Sequence, residues 1–296
     1  MTRETQPPGA EERTGADPRR RLTDRAAQTL TLAITSGKGG VGKTSVVANL
    51  AFALARKGLR VTVLDADLGL ANLDVLLGMV PKKTIEHFFA DGLPLAEIVQ
   101  QGPLGVRIIP AGSGLPELTA LGPEDLYRFV DQLRGLREDC DVLLIDTAAG
   151  ISDQVTRMLL LADRVLLVTW PEPTALVDAY ASLKVALRHR LTREVGLVVN
   201  GARSEDEAQR VHHRLATAAK KFLGRVVDFD GWIARDEAVA EAARRQRAVV
   251  LSNPFAPASR CFEELAATIT SRVEGRMRGA VDDGWRSDER PAQLMH

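Results

Sequence analysis

The sequence predicts an α/β fold of three layers, with a doubly wound, mainly parallel sheet between two layers of helices. Two observations carry this expectation. Short runs rich in Val, Leu and Ile alternate with segments of helical period. Runs that are apolar along their whole length, rather than at every second residue, are strands buried on both faces. A glycine-rich loop, Ser36-Gly-Lys-Gly-Gly-Val-Gly-Lys-Thr-Ser45, also joins the first such run to an amphipathic segment. Strand, loop and helix in that order are the setting of a phosphate-binding loop.

The expected strands are Thr31–Thr35, Arg60–Asp65, Val106–Pro110, Asp141–Asp146, Arg164–Thr169, Glu194–Asn200 and Arg225–Phe229. The first helix is expected over Thr44–Lys57, where Val47, Leu50, Ala51 and Leu54 share one face and Gly58 supplies a C-terminal stop. A long last helix is expected over Ala258–Arg278, with a polar tail from Gly279 to His296. Residues 1–27 are too polar and too rich in Pro, Gly and charge to fold, and read as a disordered arm rather than a signal peptide. The expected organisation is thus an arm over 1–27, one domain over 28–279 that includes the last helix, and a tail over 280–296.

Composition narrows the function. Of the 296 residues 45% are apolar, enough for a sizeable core, and 39 basic residues balance 39 acidic ones. That balance argues against nucleic-acid binding through bulk charge, leaving only a local basic patch for it. Cys140 and Cys261 are far apart and form no CxxC, so a disulfide framework or zinc ribbon is not expected and a reducing cytoplasm suits the chain. No apolar run approaches the roughly 20 residues of a membrane span.

The loop itself points to a nucleoside triphosphate with magnesium. Gly37, Gly39, Gly40 and Gly42 let the backbone curl round phosphates, with Val41 between them, and their N–H groups and the helix N-terminus face negative charge. Lys43 is placed to reach the β- and γ-phosphates and the Thr44 hydroxyl to ligate Mg²⁺, with Ser45 completing the first helical turn. The second strand runs into Asp65-Ala-Asp67, and carboxylates at the C-terminal end of a parallel strand lie beside such a loop. One of them can orient a water for attack on the γ-phosphate, while Asp74 suits a helix cap. The strand Asp141-Val-Leu-Leu-Ile-Asp146 ends in the carboxylate of a second magnesium motif, and the nearby Gly150 can bring a backbone N–H to the γ-phosphate.

Lys38, early in the loop, resembles the signature lysine of the deviant phosphate loop (deviant Walker A) of the MinD/ParA class of ATPases. The runs Asp65 to Gly78 (DADLGLANLDVLLG) and Asp146 to Asp153 (DTAAGISD) are similar to the FlhG branch, also called FleN, which governs flagellar number and placement. The similarity continues through Glu172–Tyr180, Val198–Asn200 with Arg203-Ser204, and Gln246–Val250, from about Ala27 to Ala267. The resemblance implies an ATP-dependent homodimer in which Lys38 reaches the partner's nucleotide, Asp67 positions the attacking water and Asn200 reads adenine, with Arg203 beside it. It implies ATP and Mg²⁺, a cytoplasmic protein peripheral on the inner face of the cell membrane, and flagellar or transcriptional regulators as partners, with no specific nucleic acid.

Two edge features bear on partners. The branch often carries an N-terminal Asp-Gln-Ala motif that stimulates an FlhF-like GTPase; here the place reads Asp24-Arg25-Ala26, and arginine is a pure cationic donor where glutamine both donates and accepts. Phe262, Leu265, Ile269, Val273 and Met277 form one helical stripe flanked by Arg260, Arg272, Arg276 and Arg278. A membrane-surface helix has this pattern, and so does a helix packed on the sheet. Trp170, at a strand end, marks a candidate dimer contact. His212 and His213 are adjacent and point apart on a helix, while His87 and His189 are isolated, so magnesium on the nucleotide is the one metal expected.

Three readings follow. The first is a dimerising ATPase that regulates position or number. The second is a DNA-partitioning or other positioning ATPase of the same class, acting on a different polar or membrane-associated apparatus. The third, redox or metal delivery, needs paired cysteines that Cys140 and Cys261 do not supply.

Overall fold

A computed structural model describes residues 29–67, 69, 71–112, 122–188 and 194–282. The expectations placed on the arm (with Asp24-Arg25-Ala26), His189 and the tail beyond Asp282 lie outside these residues. An eight-stranded sheet runs in the order β3-β4-β2-β5-β1-β6-β7-β8. Its strands are β1 Leu30–Ser36, β2 Val61–Ala66, β3 Gln100–Gln101, β4 Arg107–Ile109, β5 Val142–Thr147, β6 Arg164–Thr169, β7 Glu194–Ala202 and β8 Asp228–Ala234. Every pairing is parallel except that of β3 with β4.

The helices are α1 Lys43–Arg56, α2 Leu73–Leu76, α3 Ile85–Asp91, α4 Leu95–Ile98, α5 Pro123–Arg137, α6 Asp153–Leu160, α7 Pro173–Arg188, α8 Glu205–Leu223, α9 Glu237–Arg244, α10 Val249–Ser252 and α11 Pro257–Asp282. Alternating strand residues sort them into two layers. Ala33, Leu143, Ile145, Val165, Leu167 and Leu197 face a core shared with α3 to α8. Leu32, Ile34, Leu144, Leu166 and Val198 face a core shared with α1, α9, α10 and α11. Central strands buried on both faces are what the unbroken apolar runs required.

Two expectations on boundaries change. The last strand lies at Asp228–Ala234 rather than Arg225–Phe229. Its apolar pattern is interrupted by Asp230, which is buried and receives Arg164 from β6, with Nη2–Oδ1 at 2.7 Å. Arg164 also meets Glu194 and Asp228, and Arg272 of α11 reaches Asp230 at 2.8 Å. An inward carboxylate disguises a strand unless its cation is known.

The second change concerns α11. Phe262, Leu265, Ile269 and Val273 are buried in the core beside α1 and β8, and Met277 packs at its edge. Arg272 and Arg276 are bound to Asp230 and to Asp163 (3.1 Å). Of the two readings of the stripe, the helix packed on the sheet is the one the fold takes, and only Arg260 and Arg278 of its cations stay exposed without a carboxylate of the core. The helix backbone continues to Asp282, past the expected domain end at 279. Among the described residues no helix is long and apolar enough to cross a membrane.

Candidate nucleotide site

After β1 the chain crosses to one face of the sheet as α1, and after its neighbour β5 it crosses to the other as α6. Neighbouring strands whose connections leave on opposite faces open a crevice at their C-terminal ends, where α/β sheets bind ligands. The loop 37–42 closes over this crevice.

Its glycines serve different purposes. Gly40 (φ 80°) and Gly42 (φ 81°) hold left-handed backbone that favours glycine. A Cβ on Gly39 or Gly40 would meet nothing within 4 Å, so that side of the loop is open. Gly37 is not part of the open cradle: a Cβ there would lie 2.1 Å from the backbone of Asp178, so glycine lets α7 pack against the loop. Gly42 caps α1, and a Cβ on it would strike the Asn200 amide nitrogen at 2.5 Å. Lys38 is exposed at the start of the loop, and Ser36 Oγ donates to its carbonyl at 3.0 Å.

Below the loop, three ionisable groups are buried together. Lys43 Nζ donates to Asp146 Oδ1 at 2.6 Å, with the side chains 7% and 1% exposed. Asp65 and Asp146 face each other across the β2–β5 register. Burial and the neighbouring Asp146 push the Asp65 carboxyl up to about 8. Burial also raises Asp146, opposed by the Lys43 ammonium and by the Thr44 hydroxyl that hydrogen-bonds to it. A pair of buried carboxylates with too little positive charge beside them is a site short of a cation.

Asp65 also organises the segment after β2. Its oxygens accept from the Asp67 N–H at 3.1 Å and the Leu73 N–H at 3.4 Å. Asp67 is half-buried at the crevice mouth. Gln154, which drew no attention in the sequence, donates to the Ala66 carbonyl at 3.0 Å and ties α6 to the end of β2. Gly150 (φ 95°) sends its N–H to the Ser36 carbonyl at 2.8 Å, joining the loop after β5 to the end of β1. Asp74 lies in the first turn of α2, whose cap position is Asn72 rather than Asp74, and its carboxylate accepts from the Val75 N–H at 2.8 Å.

Asn200, near the end of β7, donates through Nδ2 to the Val41 carbonyl at 2.8 Å. Trp170 Nε1 donates to the same carbonyl at 2.9 Å, so the indole is turned onto the loop. Sequence reasoning placed Trp170 only as a candidate dimer contact. Ser45 bonds to Asn49, whose Oδ1 in turn accepts from Val250 N–H, so it supports α1 rather than the crevice. Arg203 is exposed, and its backbone N–H donates to Glu207 at 2.7 Å in the cap of α8.

The residues suit a magnesium nucleotide: an open glycine cradle, a buried lysine, a hydroxyl and two carboxylates short of a cation. Among the described residues no three His, Cys, Asp or Glu side chains gather into another metal site. Cys140 and Cys261 are buried in the two cores on opposite faces of the sheet.

Comparison with known proteins agrees. Residues 28–270 match the model of the ParA family, described as NUBPL iron-transfer P-loop NTPase. The antiactivator FleN of Pseudomonas aeruginosa is 42% identical over 241 residues, covering 81% of this chain and 86% of that protein. The flagellum site-determining protein YlxH of Helicobacter pylori is 34% identical, covering 85% of each. The structure of the septum site-determining protein MinD of Pyrococcus horikoshii, complexed with Mg-ADP, superposes with a TM-score of 0.69 at 26% identity, covering 84% of this chain and 98% of that one.

Proposed function

The chain belongs to the ParA family of P-loop NTPases, in the company of the MinD-type ATPases, and on that premise we propose that it regulates flagellar number or placement through an ATP-driven dimer. It is an ATPase that works with ATP and Mg²⁺. The buried group Lys43, Asp146 and Asp65 beneath an open glycine loop supports that chemistry, and the 42% identity to an antiactivator FleN supports the flagellar role.

In this reading Lys43 binds the β- and γ-phosphates after leaving Asp146, and the N–H groups of the loop face the phosphate oxygens. Thr44, Asp65 and Asp146 would hold Mg²⁺, which would neutralise charge on the phosphates. Asp67, held by Asp65, orients the water that attacks the γ-phosphorus, with the γ-phosphoryl passing to that water and ADP leaving. Catalysis is thus positioning and charge neutralisation. Asn200 reads adenine. Lys38, free of the site's own ion pairs, completes the nucleotide site of a second copy, and hydrolysis separates the two.

Flagellar or transcriptional regulators, an FlhF-like GTPase and a membrane surface complete the set of proposed partners. The apolar stripe of α11 is buried in the core, so a membrane contact has to come from other residues.

The test is size-exclusion chromatography of the full chain with ADP, with ATP and as the Asp67→Ala variant, followed by liposome pelleting and a DNA-shift assay at low salt. An ATP-dependent dimer that shifts no DNA supports the reading; salt-sensitive DNA binding by the ATP form favours a partitioning role. Deleting the gene in its host and counting flagella tests the biological claim directly, and an unchanged count removes it.

A further inference from the structure

We infer that Trp170 is a positioning residue of the nucleotide site, which sets base selectivity by fixing the Val41 carbonyl and the Asn200 amide together. The inference rests on the reading of Asn200 as the residue that meets the base.

The Val41 carbonyl receives two donors, Asn200 Nδ2 at 2.8 Å and Trp170 Nε1 at 2.9 Å, which use both of its lone pairs. A carbonyl only accepts, so the Asn200 atom beside it is the NH₂ and the amide has one orientation. Its Oδ1 is thereby left as the free acceptor. An acceptor at that place pairs with the 6-amino group of adenine and opposes the 6-oxo group of hypoxanthine or guanine. An amide free to turn over would serve either.

Trp170 holds both anchors of that amide. One is the carbonyl to which it donates. The other is the backbone that carries it: Gly201, next in sequence, is left-handed (φ 72°), and a Cβ there would come within 3.3 Å of the indole. The ring therefore lies on the peptide that follows Asn200. Without the indole N–H, the 41–42 peptide has the amide as its one side-chain partner, and the two can turn together with the loop.

The same clamp reaches the phosphates. A trans peptide points its C=O and the next N–H in opposite directions. Pinning the Val41 carbonyl toward β6 and β7 aims the Gly42 N–H away from them. Base-reading amide and phosphate loop are thus one mechanical unit, and Trp170, which follows β6 and belongs to neither part, is its fixed point.

The experiment measures affinity of the full chain for ADP and IDP by calorimetry, in the wild type and in Trp170→Phe, which keeps a ring and loses the donor. The wild type is expected to prefer ADP by about tenfold or more, and the variant to lose at least about half of that preference on a logarithmic scale. Equal weakening of both nucleotides, with the ratio kept, would mean that the indole merely supports the loop and overturns the inference. Should Trp170→Phe fold poorly, replacing the indole by benzothiophene at the same position keeps the shape and removes only the N–H, and the same loss of preference is expected. A wild type that binds ADP and IDP equally removes the base-reading role of Asn200 and this inference with it. A selective wild type with unchanged variants removes this inference alone.

Discussion

Lys43 Nζ sits 2.6 Å from Asp146 Oδ1, and both side chains are buried. The lysine proposed to hold phosphate is thus held by the carboxylate that ends β5, and the two act as one buried unit. Lys43→Met should lower nucleotide affinity by roughly tenfold to a hundredfold, the loss of a charge-assisted hydrogen bond. Calorimetric titration with ADP and Mg²⁺ checks this, and an unchanged dissociation constant would contradict it.

Asp67→Ala should separate binding from turnover. Phosphate release is expected to fall about a hundredfold or more, as for loss of a water-positioning group. ATP-dependent dimers, followed by light scattering, should persist. Lys38→Ala should give the opposite pattern, ATP bound by a monomer, because its side chain lies exposed outside the buried charge group.

Asp65 makes the unliganded fold sensitive to pH. Its carboxyl is raised to about 8 by burial and by Asp146, so between the ordinary carboxylate range and pH 8 the folded chain keeps a proton that the unfolded chain has released. Stability from this group is complete below about pH 4, falls as pH rises, and levels off above 8. Asp65→Asn should remove that decline. Urea unfolding in EDTA, without nucleotide, at pH 5 and pH 8.5 measures it; equal slopes for the two proteins would refute the assignment.

Arg164 and Asp230 lie at the opposite end of the sheet from the loop. Arg164→Met leaves Asp230 buried with only Arg272 beside it, and should cost about 3–5 kcal/mol of stability. Nucleotide affinity of the folded fraction should not change. A denaturant series with a parallel ADP titration reads both.

Ile269, on the inward face of α11, is fully buried. Ile269→Glu should lower the melting temperature by several degrees or prevent folding, since it buries an unpaired charge. Were the stripe a membrane anchor, the same change would leave the melting temperature intact and reduce liposome pelleting.

Much of the core of this fold is legible in the chain. β6 falls at Arg164–Thr169 as expected, because the short unbroken run Val165-Leu-Leu-Val168, rich in β-branched residues, suits a strand buried on both sides. β8 is not legible, since Asp230 looks like a turn residue until Arg164 is seen beside it. The stripe on α11 is equally clear as a pattern and equally silent about its partner: lipid and a sheet face ask for the same side chains.

The sequence by itself determined the loop, the identity of its lysines and carboxylates, and a strand-end position for each of them. These are local matters of glycine freedom, apolar runs and residue spacing. Only the tertiary structure decided that Lys43 rests on Asp146, that burial beside Asp146 raises the Asp65 carboxyl, that α11 spends its apolar face on the core, and that Trp170 and Asn200 share the Val41 carbonyl. Each of these depends on residues that are distant in the chain and meet only when parallel strands align their C-terminal ends. Burial, charge and hydrogen-bond partners are set by that meeting, and no window of sequence contains it.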